Sequence, residues 1–220
     1  MADLNAGPPR RRTDPPRRFA VAEIPGGRLR VAVGAGRVEL GSTTGTAVRV
    51  RATRPRWVSD RLAALVPAIL RSPRYRLRGD GLHIRARRAR LQIDLPPGLT
   101  TLVQLRRGEI TSWGAAGELS LFVADGVVTC RELQATAAHV RAPRASLHFA
   151  SSPERVEVFA DRAVVAVPAG AYAVSAPDTA EVTVPLDPAS ARVIVVRAAA
   201  ARVLAAADPL RLTDEQGVGS

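Results

Sequence analysis

From Leu99 onward the chain repeats at intervals of about eighteen residues, and this interval limits the possible fold more than any other feature of the sequence. Comparable apolar positions fall at Leu102, Leu119, Ala138, Val156, Val174 and Ile194, with separations of 17, 19, 18, 18 and 20 residues. Each interval holds two short β-prone runs, as in Val156 to Phe159 followed by Ala163 to Val167. Two strands in about eighteen residues is what one rung of a two-faced solenoid requires. A single rung buries too little to offset the entropy of ordering it, so rungs must stack and share one core. Small residues such as Ala135, Ala137, Ala166 and Ala176 are expected to point inward and let the two faces approach. The predicted fold is therefore all-β, a parallel β-solenoid-like stack. The alternative that fits the same strand lengths is an antiparallel β-sandwich of meander hairpins.

Composition agrees with stacked strands. Of 220 residues 46% are hydrophobic, mostly Val, Ala and Leu, and only 4% are aromatic, which favours close sheet packing over a bulky core. Residues 1–18 carry four prolines and no apolar pattern, and read as a disordered basic tail. Residues 19–205 read as a single β-repeat domain, and residues 206–220 as a flexible C-terminal tail. Strands are expected at Arg28 to Val33, Arg37 to Leu40 and Ala47 to Ala52, with Gly34 to Gly36 as a turn between the first two. One helical insertion is expected at about 59–71. Ser59 and Asp60 supply its N-cap and acidic first turn, and Leu62, Leu65, Val66, Ile69 and Leu70 follow at helical spacing, with Pro67 as a kink. Such a helix packs on its own domain or, alternatively, lies on a membrane interface.

The basic residues are unevenly placed, and all 32 are arginine. Residues 49–90 hold thirteen Arg against Asp60 and Asp80, whereas from residue 91 onward eleven Arg face fourteen acids. The net charge of +12 thus belongs to the front half, which points to an anionic partner there. Arg74, Arg76, Arg78, Arg85, Arg87, Arg88 and Arg90 are the candidate contacts. Cys130 stands alone, so no intrachain disulfide is available. The N-terminus lacks an apolar signal region, and the longest apolar stretch, Leu62 to Leu70, is far short of a membrane span. The expected location is cytoplasmic, with a peripheral membrane placement as its variant.

Several phrases carry a family resemblance. They are Arg107-Gly108-Glu109-Ile110, the partial Ala124-Asp125-Gly126-Val127-Val128, Ser152-Pro-Glu-Arg-Val-Glu-Val158, and Val165-Ala-Val-Pro-Ala-Gly-Ala-Tyr-Ala-Val174. Through them, residues 19–205 resemble the bacterial putative-adhesin domain, also called toastrack. The resemblance implies a non-catalytic β-repeat protein associated in bacteria with the cell envelope or membrane stress, and it brings no catalytic residues with it.

Chemical motifs are sparse. Cys130, His139 and His148 occupy successive repeats, but their spacing matches no zinc pattern. No P-loop, dinucleotide fingerprint or nucleophile elbow occurs. Asp125, Asp161 and Asp178 recur at turn-like positions, where Asp serves the backbone. The expectation is a scaffold that is not an enzyme, needs no cofactor or metal, binds a protein or envelope component and can self-associate. The alternatives are nonspecific nucleic-acid binding through Arg85, Arg87, Arg88 and Arg90, and a carbohydrate-active solenoid using acids such as Asp125 and Asp161.

Overall fold

In the strand Arg28–Ser42 the buried positions are Leu29, Val31 and Val33, and then Val38 and Leu40. The inward parity changes from odd to even across Gly34 to Gly36. A strand that bends around a core must do this, because an extra residue at the corner lets both legs face the same interior. The same change separates Val103 and Leu105 from Ile110 in the strand Thr100–Trp113, and Leu121 and Val123 from Val128 and Cys130 in the strand Ala116–Arg141.

The computed structural model describes residues 16–53 and 73–205. In chain order the strands are β1 (Arg17–Ala20), β2 (Arg28–Ser42), β3 (Ala47–Thr53), β4 (Arg74–Arg78), β5 (Gly81–Leu95), β6 (Thr100–Trp113), β7 (Ala116–Arg141), β8 (Arg144–Phe149), β9 (Arg155–Val167), β10 (Ala173–Ser175), β11 (Glu181–Val182) and β12 (Val193–Ala205). They form one 12-stranded sheet in the order β1-β3-β5-β2-β6-β7-β8-β9-β12-β10, with β4 on β5 and β11 on β12. The pairings along the body from β5 to β12 are parallel. The fold is a β-solenoid-like stack, and the antiparallel sandwich is not formed.

The corner is held by a ladder of glycines. Gly36, Gly108 and Gly126 are register partners, with φ of +139°, +129° and +149°. A Cβ at any of the three would collide with the backbone carbonyl of an adjacent rung.

Several sequence expectations change. The stack begins at β2 rather than near Leu99, since β2 and β5 are full rungs in register with β6. Gly34 to Gly36 do not form a turn between strands but lie within one fifteen-residue strand. Leu119 pairs with Thr101, one residue from the expected Leu102, while Ala138, Val156, Ile194 and Val174 do align. Ala135 and Ala166 are buried as expected, whereas Ala137 is the half-buried neighbour of inward Ala138 and Ala176 is half-buried. Arg17 and Arg18, assigned to the tail, belong to β1. The helix expected at 59–71, the rest of the N-terminal tail to residue 15 and the segment 206–220 lie outside the described residues. Among the described residues the helical elements are two 3-10 turns, Val21–Glu23 and Pro25–Gly27.

Both ends of the stack are closed out of sequence order. At the first end β5 lies outside β2, and its far edge is covered by β4 on one leg and β3 on the other, both antiparallel. At the other end β12 is inserted between β9 and β10. There Tyr172 is fully buried, and its hydroxyl donates to the Pro168 carbonyl oxygen at 3.0 Å.

Candidate anion-binding face and groove

Alternation and antiparallel register sort the front-half arginines. Arg74, Arg76 and Arg78 fall at every second position of β4 and so share one face. Their register partners are Arg85, His83 and Gly81, so Arg85 and His83 join that face. Together Arg74, Arg76, Arg78, His83 and Arg85 line a hollow of about 80 Å³. Arg74 directly opposite Arg85 is a like-charge pair, which costs stability in a sheet unless an anion relieves it. The intervening Tyr75 pairs with buried Ile84; its ring lies 5.7 Å from Phe19, with the Arg17 guanidinium 4.9 Å from the ring centre.

His83 is mostly buried. Only 12% of its side chain is exposed, and Nε2 lies 2.8 Å from Asp80 Oδ1. The other Asp80 oxygen is 3.5 Å from Arg30. The hydrogen bond with His83, aided by the charges of His83 and Arg30, holds the Asp80 carboxyl below its ordinary range.

Arg87, Arg88 and Arg90 leave that group. Arg90 is on the second leg of β5, where Nε and Nη2 donate to Glu39 Oε1 at 3.1 and 2.7 Å. Arg37 approaches Glu39 at 3.1 Å and Glu109 at 3.5 Å, completing a ladder across three rungs. Arg90 is therefore neutralised. Arg88 is exposed beside the corner, in register with Ala35. Arg87 lines a second, larger concavity.

That concavity is a groove of about 1300 Å³ running across the rungs just before the corner. It crosses segments of β5, β2, β6, two passes of β7, and β9. Six strands at ~4.8 Å spacing give it a length of about 24 Å. Its floor is small and apolar, with Ala32, Gly34, Ala86, Ala124, Ala142 and Ala160, and Phe122 and Phe159 stand toward the β9 end. Arg74, Arg85, Arg87 and Arg106 line it toward β5, while Arg141 and Asp161 line the opposite part. Phe122 and Phe159 flank His139 at 5.3 and 5.6 Å between ring centres, and the Arg197 guanidinium lies 5.5 Å from the Phe159 ring.

The arginines divide cleanly. Arg30, Arg37, Arg90, Arg107, Arg155 and Arg202 each meet a carboxylate. Among the described residues Arg74, Arg76, Arg78, Arg85, Arg87 and Arg106 meet none within salt-bridge distance, nor does Arg141 in the opposite part of the groove. Charge left without a local counter-ion is where an anionic ligand gains most.

The remaining candidates are separated. Cys130 is buried in the core, where loss of water pushes its thiol up to about 12, while His139 faces outward near Glu157, 3.7 Å away. Among the described residues no three potential metal ligands gather. Asp125 is held by Arg107 at 2.8 Å, and Asp161 lines the groove instead of joining it.

Sequence reasoning missed the groove and, with it, Arg106, Arg141, Phe122 and Phe159. The signal was present in the repeat: in rows of one rung each, these residues fall in the columns before the corner. Read singly, they are scattered over more than fifty positions.

No known protein family matches the chain, and no curated protein matches it by sequence. In structure it is similar to a putative cell adhesion protein from Clostridium sporogenes ATCC 15579. The identity is 8%, the TM-score 0.43, and the coverage 89% of this chain and 99% of that one. It is also similar to a putative adhesin from Bacteroides fragilis NCTC 9343, with 9% identity, TM-score 0.38 and coverage of 88% and 96%.

Proposed function

We propose that the protein is a non-enzymatic β-repeat scaffold that binds an anionic envelope component, working in the cytoplasm at the membrane periphery. One observation carries the reading. Arg74, Arg76, Arg78 and Arg85 converge on one outward face with no carboxylate partner among the described residues. A rigid parallel stack suits a binding scaffold, because its outward residues recur in fixed rows. Arginine binds carboxylate and phosphate groups through its planar fork. The aromatic residue within β4, Tyr75, is turned toward Phe19 and the core end, which removes a stacking platform for bases.

The test is flotation of the purified chain with vesicles of phosphatidylglycerol and phosphatidylcholine. Binding is expected at low salt and is lost as salt rises. Changing Arg74, Arg76, Arg78 and Arg85 together to Gln is expected to weaken it by more than about tenfold. Flotation unchanged by those substitutions, or absent at low salt, overturns the proposal.

A further inference from the structure

We propose that the groove across the rungs binds a single-chain anionic amphiphile, with its carboxylate or phosphate headgroup toward the β5 end and its acyl chain along the apolar floor toward Phe159. The proposal rests on the preceding reading only through Arg74 and Arg85, which line both the cationic face and the groove.

The floor decides what kind of molecule fits. In the row through Ala32 and Gln104 the strands pair on both sides, Ala32 with Arg85 and Gln104 and Gln104 in turn with Phe122, so the backbone donors and acceptors there are already used. Gln104 is the one uncharged polar side chain among the lining residues. A peptide or a glycan would find partners in the arginines, Gln104 and Asp161, but its amides or hydroxyls over the alanines of the floor would be left unpaired. An acyl chain has no polar groups to satisfy, and it gains from every methylene removed from water. Exposed Ala124 and half-buried Ala160 give it a shallow track, flanked by the Phe122 and Phe159 rings.

Charge sets the direction. Arg74, Arg85, Arg87 and Arg106 gather toward β5 without carboxylate partners among the described residues. The groove's one carboxylate, Asp161, is near the opposite end beside Ala160 and Phe159. An anionic headgroup is attracted at the first end, whereas at the second Arg141 and Asp161 offset one another and the aromatic rings favour the chain terminus. The length of about 24 Å suits one extended chain. The ligand class is thus an amphiphile with one chain and one anionic head.

The experiment uses the full chain and a dansyl-labelled undecanoate, displaced by hexadecanoate, dodecanoate and octanoate below their aggregation concentrations. Saturable one-to-one binding is expected, and each methylene removed from the competitor should weaken it about two- to fourfold. Ala124→Trp and, separately, Gln104→Trp fill the track from exposed positions and should weaken binding at least about tenfold. Vesicle flotation should stay unchanged in both. Arg87→Gln with Arg106→Gln should weaken dodecanoate about tenfold while leaving dodecanol unaffected.

No saturable binding, equal affinity for dodecanol and dodecanoate, or wild-type affinity in both tryptophan variants overturns the proposal. Flotation lost in an Arg76→Gln, Arg78→Gln chain that still binds the probe separates the two sites. Failure of flotation with probe binding intact would sink only the reading of the cationic face.

Discussion

A methyl group added at Gly108 would overlap the carbonyl of Gly36 in the adjacent rung, and φ of +129° is itself unfavourable for any side chain. Gly108→Ala is therefore expected to cost about 3 kcal/mol or more in urea unfolding, by strain and by forcing two rungs apart. Gly79→Ala, which would meet nothing within 4 Å, should change stability by less than about 0.5 kcal/mol. Equal effects in the two variants would show that the corner does not need its glycines. Cys130 gives a second residue-scale test. Burial raises its pKa from 9.0 to about 12, so the folded state favours the protonated thiol. Its contribution is whole below pH 9 and is lost as pH rises toward 12, because the unfolded chain releases the proton first. Native protein should therefore resist a thiol reagent at neutral pH, with modification following the unfolding rate. Cys130→Ala should remove that part of the alkaline decline; rapid native labelling would contradict the burial.

Among the elements, strand type and inward residues were legible because alternation and the repeat interval are local patterns. Their lengths were not. Glycine ordinarily marks a turn, yet Gly36, Gly108 and Gly126 lie inside strands, where φ near +140° bends the chain without ending its hydrogen bonding. The order of rungs was also hidden. Val174 reads as the rung before Ile194, yet β12 enters between β9 and β10 and places Val174 outside it. Strand β12 thereby pairs with β9, β10 and β11 at once. A chain ending at Arg192 is expected to expose the thirteen-residue edge of β9 and to release both short strands. Amide exchange in β9 to β11 should rise, and light scattering should show self-association through the opened edge. A monomer with unchanged exchange would refute this role.

For the whole molecule, the front-half excess of positive charge was visible in the sequence, but its division was not. Only the folded register shows that Arg74 and Arg85 meet, that Arg90 is spent on Glu39, and that Arg87 and Arg106 line a groove with residues up to five rungs away. Such a site is made by stacking and has no contiguous motif. The strand exchange at the ends has a further consequence, in the order of synthesis. Strand β2 leaves the ribosome before β5 and β6, yet it is flanked by both, so its two edges are not both covered until about residue 113 has been made. At the other end β10 is finished before β12, the strand it must pair with, exists. The earliest rung made is thus completed late, and the outermost rung made waits for the one inside it. Folding of this solenoid cannot simply follow translation from one end to the other.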